Sequence, residues 1–227
     1  MRFASSEPGL RIHPWVRRAA ACATLLGLSG LASLSGCGSA LLAKPAPAPV
    51  LFTLDSLPAA KAGPAAAARL SASGPTLSVN PPQAAPGYDS ARMVYTRAPH
   101  QIEHFALHQW VDAPAQMLAP LLVRALQSSG AFGAVLGAPS LGQGEIRLET
   151  TLLRLEQDFS SAPSQVRLTL RAVLVHSASR RVLASREFDA SQAAPSDDPR
   201  GGASAANLAL QRVLTDLVAF CVAAVAS

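Results

Sequence analysis

From residue 145 to residue 190 the chain alternates apolar and polar side chains three times over, a period that half-buried β-strands satisfy. The first run, Glu145 to Phe159, sets Ile146, Leu148, Thr150 and Leu152 on one face. Its phase slips at Leu152-Leu153 and resumes through Leu155, as one extra residue in a β-bulge would cause. The second run sets Val166, Leu168, Leu170, Ala172 and Leu174 against Arg167, Thr169 and Arg171. A turn at Ser177 to Arg180 returns the chain along Val182 to Ala190. Three consecutive strands of this kind form an antiparallel meander with one face open to water. The apolar face needs a cover.

Two helices can supply it. A C-terminal helix from about Ser204 to Ala226 carries Leu210, Val213, Leu214, Leu217 and Cys221 on one stripe. Another is capped by Asp112, runs through Met117, Leu118, Leu121, Leu122, Ala125 and Leu126, and ends at Ser128-Ser129-Gly130. Pro120 inside it predicts a kink or a division. Shorter strands are expected at Val50 to Leu54, Thr76 to Val79, Arg92 to Thr96 and Phe132 to Leu136. Ile102 to Val111 fits a strand or a helix. Pro58 to Pro75, with one turn of helix at Ala65 to Leu70, and Asp197 to Gly202 read as loops. The expected fold class is α+β: a single domain with a mainly antiparallel sheet, mixed pairing left open, and two long amphipathic helices packed on it.

Ahead of this domain, Leu34-Ser35-Gly36-Cys37 closes the apolar run Ala19 to Leu34, with Arg2, Arg11, Arg17 and Arg18 upstream. A basic region, an apolar core and a lipobox make a lipoprotein leader. Small residues before the cut let the chain enter its peptidase extended, and only a thiol forms the diacylglycerol thioether. The expected division is a signal peptide at 1–36, a tether at 37–49 and a folded domain at 50–227. The tether holds Lys44-Pro45-Ala46-Pro47-Ala48-Pro49, a composition that favours extended polyproline-like chain. Residues 50–227 should fold without the anchor.

Cleavage before Cys37 removes four arginines and one glutamate, so the net charge falls from +5 to +2. A nucleic-acid partner needs clustered basic residues, and Arg180-Arg181 is the one basic pair left, which argues against that class. Cys22 leaves with the leader and Cys37 carries lipid, so Cys221 is the single free thiol and an intrachain disulfide has no partner. Cys221 lies on the helical stripe, where it is a small core residue rather than a reactive one. The run at 19–34 is too short to span a bilayer. The mature chain is therefore anchored to a membrane through Cys37, and three acyl chains make such attachment effectively permanent. Gly38 stands where aspartate retains lipoproteins in the inner membrane, so it favours the periplasmic face of the outer membrane.

Catalytic chemistry has one candidate. His100-Gln101-Ile102-Glu103-His104 matches the inverted zincin pattern, in which His100 and His104 ligate zinc from one helix face and Glu103 is the general base. That chemistry requires a helix and a third ligand. On a strand the two histidines stand ~13 Å apart, too far to share one ion. The segment lacks a helical apolar stripe, so no metal, cofactor or catalytic residue is expected from it. Nucleophile-elbow, P-loop, C-x-x-C and dinucleotide-binding motifs do not occur. Asp197-Asp198 reads as a solvated turn, not an acid/base couple.

These residues in order resemble the ABC-type transport auxiliary lipoprotein family, which includes the paraquat-inducible-type lipoproteins. The resemblance covers roughly Phe52 to Ala224. It rests on the lipobox and tether, Phe52-Thr53-Leu54, Leu77-Ser78-Val79-Asn80-Pro81-Pro82, Tyr88-Asp89 and Arg92-Met93-Val94-Tyr95. It continues through His108-Gln109-Trp110-Val111-Asp112-Ala113-Pro114, Met117-Leu118 with Leu126, and Ser129-Gly130-Ala131-Phe132. Tyr88-Asp89 lacks an apolar residue between its members, and Pro120 interrupts a helix that is smoother in the family.

The resemblance implies a non-enzymatic component that docks the periplasmic mammalian-cell-entry (MCE) domains of an ABC transporter. Such systems move lipid between the membranes or maintain envelope integrity. A homo-oligomer is compatible with it. Tyr95 and Trp110 are candidate contact residues by aromatic type alone, and groove-filling accounts for them as well. The rival readings are a partner of another envelope assembly machine and, from a different class, a zinc peptidase using His100, Glu103 and His104.

Overall fold

Each of the three long alternating runs becomes a strand in the computed structural model, which describes residues 47–58, 74–140 and 142–226. The leader, Cys37, the tether up to residue 46 and the helical turn expected at 65–70 lie outside the described residues. The chain divides into Met1–Pro47 and Ala48–Ser227, and every described element belongs to the second unit. In order these are β1 (Val50–Phe52), β2 (Thr76–Val79), β3 (Gln83–Ala84), β4 (Arg92–Thr96) and β5 (Glu103–Trp110). Next come helix α1 (Pro114–Ser128), β6 (Ala134–Gly137), β7 (Ile146–Asp158), β8 (Gln165–His176), β9 (Val182–Ala193) and helix α2 (Pro199–Val225).

All nine strands form one sheet with β7 as its axis. On one side β8 and then β9 follow antiparallel, which is the expected meander. The expected bulge is there too: pairing with β8 jumps from Leu152 to Arg154, leaving Leu153 as the extra residue.

On the other side of β7 the expectation of a mainly antiparallel sheet is corrected. β2, β3 and β4 run in series along it, opposite Ile146–Leu148, Thr151–Leu152 and Glu156–Asp158, and all three are parallel to it. β6 joins β2 in parallel, β5 joins β4 antiparallel, and β1 joins β5 in parallel. The sheet is mixed. The cause is that β2, β3 and β4 are pieces of one path broken by prolines, so the direction of one sets the direction of all. Pieces of two to five residues show alternation but carry no sign of orientation.

Both β6 and β7 are parallel to β2 and lie on opposite sides of it, so residues 138–145 must return across it. Parallel connections usually take a dozen residues and a helix. Here Gly144 permits a short one: a side chain there would come within 2.6 Å of Ser78 N and Thr76 O. Gly144 N donates instead to Ser78 Oγ at 2.6 Å.

The helices cover the buried face. Leu210, Val213, Leu214, Leu217 and Cys221 of α2 are all buried, as the stripe predicts, among Leu168, Leu170, Ala172 and Leu174 of β8. By length and apolar content α2 could cross a membrane, but the buried stripe makes it a core helix. It starts earlier than Ser204. Pro199 takes the first helical position and Asp198 caps it by accepting a hydrogen bond from Gly201 N at 2.7 Å. The expected loop at 197–202 is thus cap and first turn. α1 corrects two further expectations. Its cap position is Ala113, and Asp112 accepts from Ala113 N at 2.7 Å without reaching the helix. Pro120 does not divide it. Pro120 and Gln116 are both exposed, so water can solvate the carbonyl that proline leaves without a donor. Gly130, at φ 66°, closes the turn after α1 in the left-handed region.

One side chain ties the two ends of the domain together. Asn207 on α2 accepts from Asp55 N and Ser56 N at 3.0 and 3.1 Å, and donates to Thr53 O and Ala203 O at 3.0 and 3.1 Å. It holds the segment that follows β1. Asn207→Ala is expected to cost about 1–2 kcal/mol and to speed amide exchange at Asp55 and Ser56, which lose their acceptor. Unchanged exchange at those two amides would show that the clamp carries no load.

Candidate functional site

The histidines of the HxxEH segment do not converge. His100 sits in the turn before β5 at φ 65°, and Glu103 opens the strand. The helix on which the zincin mechanics depend is absent from this described stretch. Glu103 Oε2 accepts from the Tyr95 hydroxyl at 2.8 Å, and this bond to a carboxylate raises the pKa of the phenol. His104 is exposed opposite Val94. His108 stacks on Phe52 with ring centroids 6.0 Å apart. Among the described residues no three His, Cys, Asp or Glu side chains could share a metal ion.

The other titratable candidates are structural as well. Cys221 is fully buried, and desolvation pushes its thiol up to about 12, which keeps it protonated and inert. Asp197 Oδ1 accepts from Ser164 N at 2.7 Å, and Asp198 caps α2. These backbone hydrogen bonds lower both carboxyl pKa values, so their support is present at neutral pH and is lost as pH falls through the lowered values. Asp197-Asp198 is an exposed turn, as expected, in which Asp198 also caps α2 and Asp197 holds Ser164 N.

Tyr95 and Trp110 are packing residues. Trp110 is 4 % exposed and sits in the core beside Met93, Gly202 and Ala206. Tyr95 lies against Phe105 at 4.4 Å and Phe159 at 5.8 Å, with the Arg97 guanidinium 5.0 Å from its ring centroid. The sequence overlooked a different set. Val50, Leu51, Leu107 and Val111 are exposed large aliphatics and all lie on or beside β1 and β5. The signal was available: residues 102–111 are apolar on both parities, which made the segment ambiguous and left one of its faces without a cover.

The open face over β7, β8 and β9 has the opposite character. Arg147 pairs with Glu149 at 2.8 Å, Arg167 with Asp158 at 3.5 Å and Arg154 with Glu156 at 3.7 Å, while Arg171 pairs with Glu187. Surface pairs of this kind contribute little stability, and Asp189 on the same face accepts from the Thr169 hydroxyl. Two shallow crevices, about 340 and 400 Å³, flank the ends of β2 and β6. Arg147 lines the first but is committed to Glu149, and none of the buried polar atoms without a partner lines either. These clefts lack the convergent polar groups of a small-molecule site. The chemistry on view is that of surfaces.

The sequence model of the family described as ABC-type transport auxiliary lipoprotein component matches residues 52–218, from the end of β1 into the last turns of α2. A crystal structure of a Xanthomonas campestris protein of the DUF330 family is 26% identical, covering 77% of this chain and 94% of that one at a TM-score of 0.65. A crystal structure of a protein described as uncharacterized covers 77% of this chain and 99% of its own at a TM-score of 0.61; at 14% identity it bears on the fold alone. No curated protein matches the chain.

Proposed function

The chain belongs to the ABC-type transport auxiliary lipoprotein component family, and from that premise we propose that it is a non-enzymatic docking subunit of an MCE-type ABC transporter. In this reading Cys37 carries the lipid that anchors the protein, residues 37–49 set its reach, and the domain from residue 50 engages the MCE assembly in the periplasm. Gly38 directs the anchor to the outer membrane. The transporter would then move lipid between the two membranes, with this chain marking the outer-membrane end.

The observation that carries the reading is the extent of the family match. Residues 52–218 take in the sheet and both helices, so the auxiliary role belongs to the domain as a whole and not to a tail. The HxxEH segment lies on a turn and a strand, with His104 exposed and Glu103 held by Tyr95, which favours a role in contact over the zinc-peptidase reading. A lipoprotein isolated from gently solubilised membranes with a tag after Ser227 should bring the permease and the MCE-domain protein with it. Density separation should place it with outer-membrane markers. Isolation alone, after crosslinking in intact cells, would defeat the docking role.

A further inference from the structure

Of the exposed large aliphatics, Leu51, Leu107 and Val111 gather on or beside β1 and β5, where the chain enters the domain, while Ile102, Val182 and Leu208 stand apart. β1 ends the sheet and pairs only with β5 among the described residues, with Val50 opposite His108, Leu51 opposite Gln109 and Phe52 opposite Trp110. Side chains alternate faces along a strand. Trp110 points to the face covered by α2, where it meets Gly202 and Ala206. Gln109 and Val111 therefore point to the open face, Leu51 joins them through its register with Gln109, and Leu107 precedes them where the β4–β5 pairing shifts register. Leu51 is 55 % exposed, Leu107 44 % and Val111 56 %; Val50 is exposed too, but its register with His108 turns it to the other side of the edge. The ladder holds this register to its end, since Val111 N donates to Phe52 O at 2.7 Å.

The surroundings select the occupant. Arg92, opposite Gln109, is an exposed cation at the border of the patch. The nearest anion, Asp112, has its carboxylate turned back onto Ala113 N. Farther along the same face, β7, β8 and β9 carry four Arg–carboxylate pairs, so aliphatic and charged regions occupy different ends. Val50 lies thirteen residues along the chain from Cys37. At ~3.5 Å per residue such a length reaches about 45 Å at full extension. The aliphatic edge is thus where the chain that leads from Cys37 joins the domain.

We propose that the β1–β5 edge, through Leu51, Leu107 and Val111, rests on the phospholipid surface that holds the Cys37 anchor. This rests on the lipid-anchor reading above and goes beyond it, because it fixes which face of the domain meets the membrane. Aliphatic side chains enter the acyl boundary, Arg92 meets headgroup phosphates, and the charged face over β7–β9 stays in water. The anchor holds the domain at the surface, and the patch orients it there.

The test uses the mature lipidated protein in phosphatidylethanolamine–phosphatidylglycerol vesicles. The Leu107→Cys and Glu187→Cys variants each carry one environment-sensitive fluorophore, since Cys221 is buried and Cys37 is lipidated. The label at 107 should be several-fold less accessible to iodide than the label at 187, and nitroxide-bearing lipids should quench it. Leu51→Ser with Val111→Ser should restore iodide access at 107 while the protein still floats with the vesicles. Equal iodide access at 107 and 187 in floating protein overturns the proposal. Shielding at 107 without quenching by lipid also overturns it, and assigns the patch to a second copy or another protein. Protein that does not float refutes the anchor itself, which removes this inference with it and is distinguished by the flotation assay.

Discussion

Cys37→Ser should abolish maturation. The product keeps all 227 residues, runs 36 residues longer than the cleaved form and incorporates no labelled fatty acid. The effect is nearly all-or-none because two steps depend on one sulfur. A thiol, partly ionised near neutral pH, attacks the glyceryl carbon of a diacylglyceryl phospholipid and forms the C–S thioether as the C–O bond to the phosphate headgroup breaks and that phosphate leaves, whereas a serine hydroxyl remains protonated. The peptidase then cuts before the modified residue, so an unmodified chain is no substrate. Cys22 offers no rescue, since it lies within the apolar run and not at its end. The uncut leader would hold the precursor at the inner membrane, away from the outer-membrane site proposed for its work. Efficient cleavage of the serine variant would remove the anchor reading and the membrane-facing edge together, while leaving family membership untouched.

Sequence reading succeeded where one physical constraint acted alone. Thr76–Val79 matches the expected strand to the residue, and the slip at Leu152-Leu153 is the bulge at Leu153, because the two-residue period registers an insertion directly. The stripe from Leu210 to Cys221 is buried throughout, because helical periodicity and burial are the same statement for a helix on a sheet. Orientation was not legible. Nothing in Leu77-Ser78-Val79 says that it runs with Ile146–Leu148, and that fact depends on how residues 80–91 carry the chain up the side of β7. Local chemistry outranked composition at Asp197 to Gly202, where a Pro/Gly-rich stretch looks like loop but Asp198 and Pro199 start a helix. Candidate sites fared differently again. HxxEH has the right letters on the wrong backbone, and the aromatic residues chosen for contact are buried. The exposed set consists of aliphatics that ordinary patterning assigns to a core.

Gly201→Ala tests the tightest joint in the domain, and the outcome turns on two opposed effects. Alanine is favoured over glycine within a helix by about 1 kcal/mol, so propensity alone expects a gain. Against it, a Cβ at Gly201 would overlap the Ser196 carbonyl oxygen and crowd Ser196 Oγ at 2.5 Å and Ser196 N at 2.8 Å. Two of these are backbone atoms, which cannot rotate aside. Ser196 can retreat only by moving Asp197 and Asp198 with it. Asp197 holds Ser164 N, and Asp198 caps the helix. The neighbouring Gln157 is buried, donating to Ser164 Oγ at 2.9 Å and to Asp198 O at 3.3 Å, so it too would lose partners inside the protein. Overpacking costs about 1–3 kcal/mol and loss of a cap costs about 1 kcal/mol more. Set against the helix-propensity gain, the net expectation is destabilisation of about 1–3 kcal/mol, a fall in Tm of roughly 2–12 °C for a domain of this size. Ser204→Ala, one turn later and exposed, supplies the control, since only propensity acts there and Tm should hold or rise slightly. If Gly201→Ala matched that control, α2 would not be clamped against residue 196, and the polar joint of Gln157, Ser164, Asp197 and Asp198 would be looser than its hydrogen bonds indicate.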